Sequence, residues 1–227
     1  MSAGDLAADH GPDRCGLAET LALRTQDLHI RAERSGIVQD ILRGRISRDA
    51  YALYLRNLLP AYQAMEHGLR TLRVAPGVRR IAFPALFRSD AIAHDLAALC
   101  GADWAAAMPL LPEGARYAAR VADAASDGAR LIGHAYTRQL GDLSGARFLA
   151  RSLEKVLRLD GEAMAFFAFP DIPDQTQFKH DYRAALDLAA SELTTPETVI
   201  DEALAAFECN IAVSEAVQRN ALAAGGG

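Results

Sequence analysis

The sequence predicts an all-α protein folded as a single helical bundle. Apolar residues recur with a period near 3.6 over most of the chain, as at Leu149, Leu153, Val156 and Leu157. No segment shows the period-two alternation of a half-buried strand. The chain has 227 residues, 51% of them apolar, with no internal repeat and no linker, which suits one core.

Composition narrows the function classes. A formal charge of −5 and the lack of any Lys/Arg run argue against a nucleic-acid surface. Only Lys155 and Lys179 supply lysines among the 24 basic residues, so each invites attention. Three scattered cysteines, Cys15, Cys100 and Cys209, point to a reducing compartment and no disulfide framework. The N-terminus has no basic segment followed by an apolar run. No apolar run approaches the ~18 residues that span a bilayer. The expectation is a soluble cytoplasmic protein with no membrane partner.

The elements follow in order. Residues 1–15 lack periodicity and are expected as a disordered tail, with the helical domain over 16–222 and a flexible tail at 223–227. A first helix runs from about Gly16 to Arg34, with Leu17, Leu21, Ala22, Thr25, Leu28, His29 and Ala32 on one stripe. That stripe puts His29 on the apolar face, where a histidine is most often a satisfied core residue. Ser35-Gly36 breaks the pattern, and a short helix reaches Arg43. Ser47 is the N-cap of a long helix to about Arg73, with Pro60 inside it as a kink or break. Pro76-Gly77 is a turn. Helices follow at about 84–100 and 113–126, then a glycine-broken helix over about 128–158. Phe169-Pro170 to Pro173 is a loop. The last helices cover about 174–193 and 196–222, with Pro196 at the first position of the second.

The stretch Leu131 to Leu149 is the most unusual. Gly141 and Gly145 each cost about 1 kcal/mol in a helix interior. They lie one turn apart, so both open onto one face, beside Ser144 and around the carboxylate of Asp142. Close packing of a neighbouring helix explains such a strip. So does a flat ligand laid against bare main chain.

Tyr136-Thr137-Arg138 followed by Leu140-Gly141-Asp142-Leu143-Ser144-Gly145 closely resembles the distal-helix signature of the haem oxygenases. The likeness covers about residues 17–215 and is weakest between 75 and 128. It implies a haem oxygenase-like helical bundle with a glycine-kinked distal helix. It also implies an enzyme that opens haem to biliverdin with release of carbon monoxide and ferrous iron. Haem b would be both substrate and cofactor. O2 and an electron donor such as ferredoxin or a flavin reductase would be the other partners. Family members in mammals carry a C-terminal membrane anchor; this chain ends in Ala-Ala-Gly-Gly-Gly instead.

Carried over residue by residue, the resemblance gives each part of a haem site a candidate. Leu28-His29-Ile30-Arg31-Ala32-Glu33 is similar to the proximal segment His-x-x-Ala-Glu. His29 then becomes the iron ligand and Glu33 a partner that orients its ring. Gln177-Phe178-Lys179-His180-Asp181-Tyr182-Arg183 resembles the segment that clamps the propionates. Lys179 and Arg183 are its cations, with Tyr136 as a hydroxyl donor. Without the resemblance, the same cations read as a solvated face neutralised by Asp181. Asp142 matches the aspartate of the distal network, with Arg138 and Tyr62 supporting it and Gly141, Ser144 and Gly145 on the haem face. Ala165 to Pro170 and Ala206 to Ile211 also match in order, which makes Phe207 and Asn210 pocket residues; core packing and a capped polar group explain them as well.

Two departures stand out. The family has lysines seven and three residues before the proximal histidine, where this chain has Ala22 and Gln26, with Arg24 as the available substitute. The family signature continues Gly-Gly, where this chain has Gly145-Ala146, and the added methyl is expected to stiffen the helix or narrow access. These departures motivate the alternative of a non-catalytic haem carrier or sensor. A carboxylate-bridged di-iron site needs paired Glu-x-x-His motifs. Glu66-His67 and His94-Asp95 have the wrong spacing. Arg31, Arg34 and Arg138 are expected at the surface, where an acidic electron donor docks.

Overall fold

The computed structural model describes residues 15–159 and 163–225. Among them every regular element is helical. In chain order these are α1 (Leu17–Glu33), α2 (Gly36–Leu42), α3 (Arg48–Thr71), α4 (Val78–Ile81), α5 (Ser89–Cys100), α6 (Trp104–Ala107), α7 (Pro112–Ala124), α8 (Gly128–Ala135), α9 (Gly141–Leu157), α10 (Gln175–Ala190) and α11 (Glu197–Gly225). A π-turn, Tyr136–Leu140, joins α8 to α9, and 3₁₀ turns occupy Pro84–Leu86 and Ala165–Phe167.

Two long helices form the spine. α3 carries Tyr51, Leu55, Leu58, Tyr62, Met65 and Leu69, all almost fully buried, at helical spacing. It packs on α5, α7 and α11, and α11 packs in turn on α1, α2, α7 and α8. Local chemistry fixes several helix starts. The Ser47 hydroxyl accepts from Ala50 N at 3.2 Å at the head of α3. Asp127 and Asp174 do the same for α8 and α10, each through two backbone amides. Pro60 lies inside α3 without breaking it. Its missing N–H costs one bond of a 24-residue helix whose buried face holds it in place.

Four expectations need correction. The helix foreseen from residue 84 begins at Ser89, behind the Pro84–Leu86 turn. Its start is set from a distance: the buried Glu66 carboxylate of α3 accepts from Arg88 N at 2.6 Å and Ser89 N at 2.9 Å. The 128–158 helix is interrupted by the π-turn at 136–140, ahead of the glycines rather than at them. The last helix runs to Gly225, through Ala223 and Ala224, where a flexible tail was expected; the Ala-Leu-Ala-Ala segment favours helix. The short helices α4 and α6 had no counterpart in the sequence reading. Of the expected N-terminal tail, residues 1–14 lie outside the described residues, as do 226–227.

Candidate active site

A cleft opens between α1, the α8–α9 junction and α11. It has two lobes, of about 340 Å³ and 470 Å³, that share His29, Thr137, Gly141, Ser144 and Phe207. The smaller lobe adds Ala22, Gln26, Tyr136 and Arg183. The larger adds Glu33, Arg138, Asp142, Gly145 and Asn210 among mainly apolar walls.

His29 reaches this cleft from the edge of the α1 stripe. Its side chain is 51% exposed, not buried in the core: the buried residues of α1 are Leu17, Ala18, Leu21 and Thr25, all toward its start. Phe207 meets the imidazole edge-on, with ring centroids 6.0 Å apart. Glu33 stands 3.8 Å from His29 Nδ1, beyond hydrogen-bond length, and is itself 58% exposed.

Facing the cleft from α9, Gly141 and Gly145 leave the backbone bare. A Cβ added at Gly141 would meet nothing within 4 Å, and one at Gly145 would touch only Leu149 Cδ1, at 3.9 Å. Among the described residues no helix packs on this strip, so they give no support to the packing explanation of the glycines. Of the two effects expected of Ala146, narrowing of the cleft is not found. Its methyl is 2% exposed, points into the core, and neither lines nor narrows the cleft.

Behind the strip lies a buried polar cluster. The Tyr62 hydroxyl donates to Asp142 Oδ2, and Arg138 Nη2 donates to Asp142 Oδ1 at 2.8 Å. Arg138 also donates to the Tyr62 oxygen through Nε at 2.8 Å, and to Asn210 Oδ1 through Nη1 at 2.6 Å. Asn210 Nδ2 donates onward to the Tyr117 oxygen at 3.2 Å. Burial pushes the Asp142 carboxyl above its usual range, while Arg138 and Tyr62 pull it back. Burial opposes the charge on Arg138, yet Asp142 and the surrounding phenols hold the guanidinium well above its usual pKa. A charge so enclosed costs several kcal/mol unless paired, and here it is paired on every side. Arg138 is therefore committed to this cluster and is not a surface docking residue. Its side chain is only 12% exposed. Arg31 is at the surface but engaged with Glu208 at 3.1 Å.

The structure brings together most of the residues singled out in the sequence: His29, Glu33, Tyr62, Tyr136, Arg138, Gly141, Asp142, Ser144, Gly145, Arg183, Phe207 and Asn210. Tyr62 stands just behind the wall, and Lys179 does not join it. Arg183 reaches the smaller lobe, while Lys179 lies one turn earlier on α10, off the wall. Arg24 does not line the cleft either, so Ala22 and Gln26 stand there without a cation beside them on α1. His134 is fully buried and bonded through Nε2 to Glu202 at 2.9 Å, away from the cleft. Sequence reasoning missed Tyr54, Tyr117 and the aromatic wall of Phe148, Phe166 and Phe167. Tyr54 was findable, since it lies two turns before Tyr62 on the same face of α3. Tyr117 had no signal short of the fold. Phe166 and Phe167 are held in place by the buried Asp95 carboxylate, which accepts from Ala165 N at 2.8 Å and Phe166 N at 2.9 Å.

Comparison with known proteins agrees with this geometry. The Heme oxygenase family model matches residues 15–216. The chain is 35% identical over 210 residues to "Heme oxygenase 1" of Nostoc sp., covering 92% of this chain and 88% of that protein. It is 34% identical to the human protein of the same name, over 89% of this chain and 72% of that one. Among solved structures, heme oxygenase-1 from Synechocystis sp. in complex with heme superposes with a TM-score of 0.87 at 32% identity, covering 93% of this chain and 96% of that one. The heme oxygenase of Leptospira interrogans gives 0.84 at 27% identity, over 89% and 100%. The chain belongs to the heme oxygenase family, whose members cleave haem.

Proposed function

We propose that the cleft takes haem as its substrate, with His29 as iron ligand on one face and the Gly141–Gly145 backbone on the other. One observation carries this reading: two glycines of a helix present bare main chain to open space, on the cleft that His29 enters from α1. A flat macrocycle needs both features, and a bulky side chain at either glycine would deny it the space. A neutral imidazole is a suitable ligand for haem iron. Haem supplies the iron chemistry of its own oxygenation, drawing on O2 and on electrons from an external donor such as ferredoxin or a flavin reductase.

The protein's own groups do the rest. Arg183 and the Tyr136 hydroxyl face the smaller lobe, where they receive a carboxylate. The apolar walls of the larger lobe exclude water. Asp142, fixed by Tyr62 and Arg138, accepts and passes protons at its carboxylate on the oxygen side of the cleft. The exposed Glu33 moves within hydrogen-bond reach of His29 Nδ1 by a rotamer change and orients the ring. Ala146, one of the two departures that suggested a non-catalytic carrier, is buried away from the cleft; Ala22 and Gln26 remain, and family membership favours the enzyme over that alternative. Among the described residues no helix is long and apolar enough to cross a membrane, and we place the reaction in the cytoplasm.

The test is a haemin titration of the purified protein beside His29→Ala, followed by ascorbate in air. The expected result is a one-to-one histidine-type Soret band, lost or shifted in the variant, that decays into a biliverdin band. A Soret band that persists unchanged would reinstate the carrier. Absence of binding would sink the reading.

A further inference from the structure

Three tyrosines surround Arg138: Tyr54, Tyr62 and Tyr117, and all three phenols act electrostatically on its guanidinium. Two of them are spoken for. Tyr62 bonds to Asp142 and Arg138, and Tyr117 receives Asn210. Neither lines the cleft. Tyr54 differs. It is 7% exposed, and it lies on the wall of the larger lobe together with Arg138, Asp142 and Asn210. It stands two turns before Tyr62, so both rings project from one face of α3 toward the cluster. Tyr54 is thus the phenol of the three that a bound substrate meets directly.

We propose that Tyr54 is a hydrogen-bond donor on the oxygen side of the cleft, reaching the reacting oxygen from the larger lobe independently of Asp142. Chemistry suits it to the task. A phenol O–H donates as well as accepts, whereas an ionised carboxylate only accepts. Burial raises the Tyr54 pKa above its usual 10.0, against the lowering effect of Arg138, so the donor proton stays on at neutral pH. The surrounding Phe166 and Phe167 keep the lobe apolar, which strengthens any hydrogen bond made there.

This inference rests on haem occupying the cleft, and the test separates the two. The ferrous haem-loaded wild type, Tyr54→Phe and Tyr54→Leu are each given carbon monoxide, and the C–O stretching band is recorded. Oxygen affinity is measured on the same samples. Removal of the hydroxyl in Tyr54→Phe should raise the C–O stretching frequency and weaken oxygen binding about tenfold, the worth of one hydrogen bond. Haem affinity should stay within about threefold, because no ligand or anion partner is touched. An unmoved band and unchanged oxygen affinity in Tyr54→Phe overturn the proposal. So does a band that moves only in Tyr54→Leu, since the ring and not the hydroxyl would then be responsible. A wild type that binds no haem overturns the cleft reading itself.

Discussion

Gly133 and Gly141 lie on one continuous helical path, yet they are glycines for opposite reasons. A Cβ at Gly133 would sit 2.7 Å from Val199 O and 2.9 Å from Ala203 N, because α8 is pressed against α11. At Gly141 it would meet nothing within 4 Å. The first glycine lets two backbones touch. The second leaves its side of the helix open to the cleft. The same contrast runs through the polar groups. On the packed seam, His134 and Thr137 bond across to Glu202 and to Ala203 O. One turn on, Arg138 reaches Asn210 of the same helix and begins the cluster behind the cleft. A clamped seam leads directly into an open strip, and the seam fixes where the strip's machinery stands.

The sharpest way to break this contrast is to make one substitution at both glycines. Gly133→Leu should lose more than about 3 kcal/mol of stability, since backbone atoms on α11 cannot yield as a side chain would. Thermal unfolding should show a drop of roughly 6–12 °C or no folded protein at all. A mild effect would mean that the seam is loose.

The ionic part of the seam ranks next. Glu202 accepts from His134, Arg120 and Arg130; although burial opposes it, these bonds pull its carboxyl down to about 2 from the usual 4.5. Its folded-state pKa lies below the unfolded value. Its stabilisation is therefore complete above pH 4.5 and lost as pH falls from there toward about 2. Glu202→Gln should cost on the order of 3 kcal/mol at neutral pH. The gap in melting temperature from wild type should close through that acid window. A gap that stays constant with pH would show that the charge is not what matters.

Gly141→Leu is the mirror experiment. Melting temperature should hold or rise, because leucine is the better helix former and nothing blocks it. Haem affinity should fall about a hundredfold, matched by an overpacking penalty of about 3 kcal/mol. A variant that binds haem as wild type does would remove the reserved-space argument.

The smallest expected effect belongs to Ala146→Gly, the change toward the Gly-Gly signature. It should cost about 1 kcal/mol of stability through lost helix propensity and leave haem affinity unchanged, since the methyl faces the core. Improved haem binding would bring Ala146 back to the cleft.

Much of this was legible beforehand, for identifiable reasons. Amphipathic period and the Ser47 cap act within a few residues, so the helices and most of their ends could be read locally; Pro196, read as the first helical position, instead precedes α11, which starts at Glu197. The signature around Gly141 and Asp142 is a long contiguous run, so the family could be read too. What escaped was set across the chain. α5 starts where Glu66, from another helix, accepts its first amides. The Phe166–Phe167 wall stands where Asp95 holds it. Lys179 and Arg183 were a pair in sequence, but only Arg183, one turn further along α10, lines the cleft.

Order along the chain was enough to read the helical architecture, the family and most of the residues that meet at the cleft, because period and motif are properties of neighbours in sequence. Tertiary structure alone decided which glycine is packed and which is open, that His29 stands in a cleft and not in the core, and that Arg138 is enclosed by Tyr62, Asp142 and Asn210. Those outcomes depend on what a distant helix does or does not place against each residue, and exposure, enclosure and pairing have no signature in the order of residues.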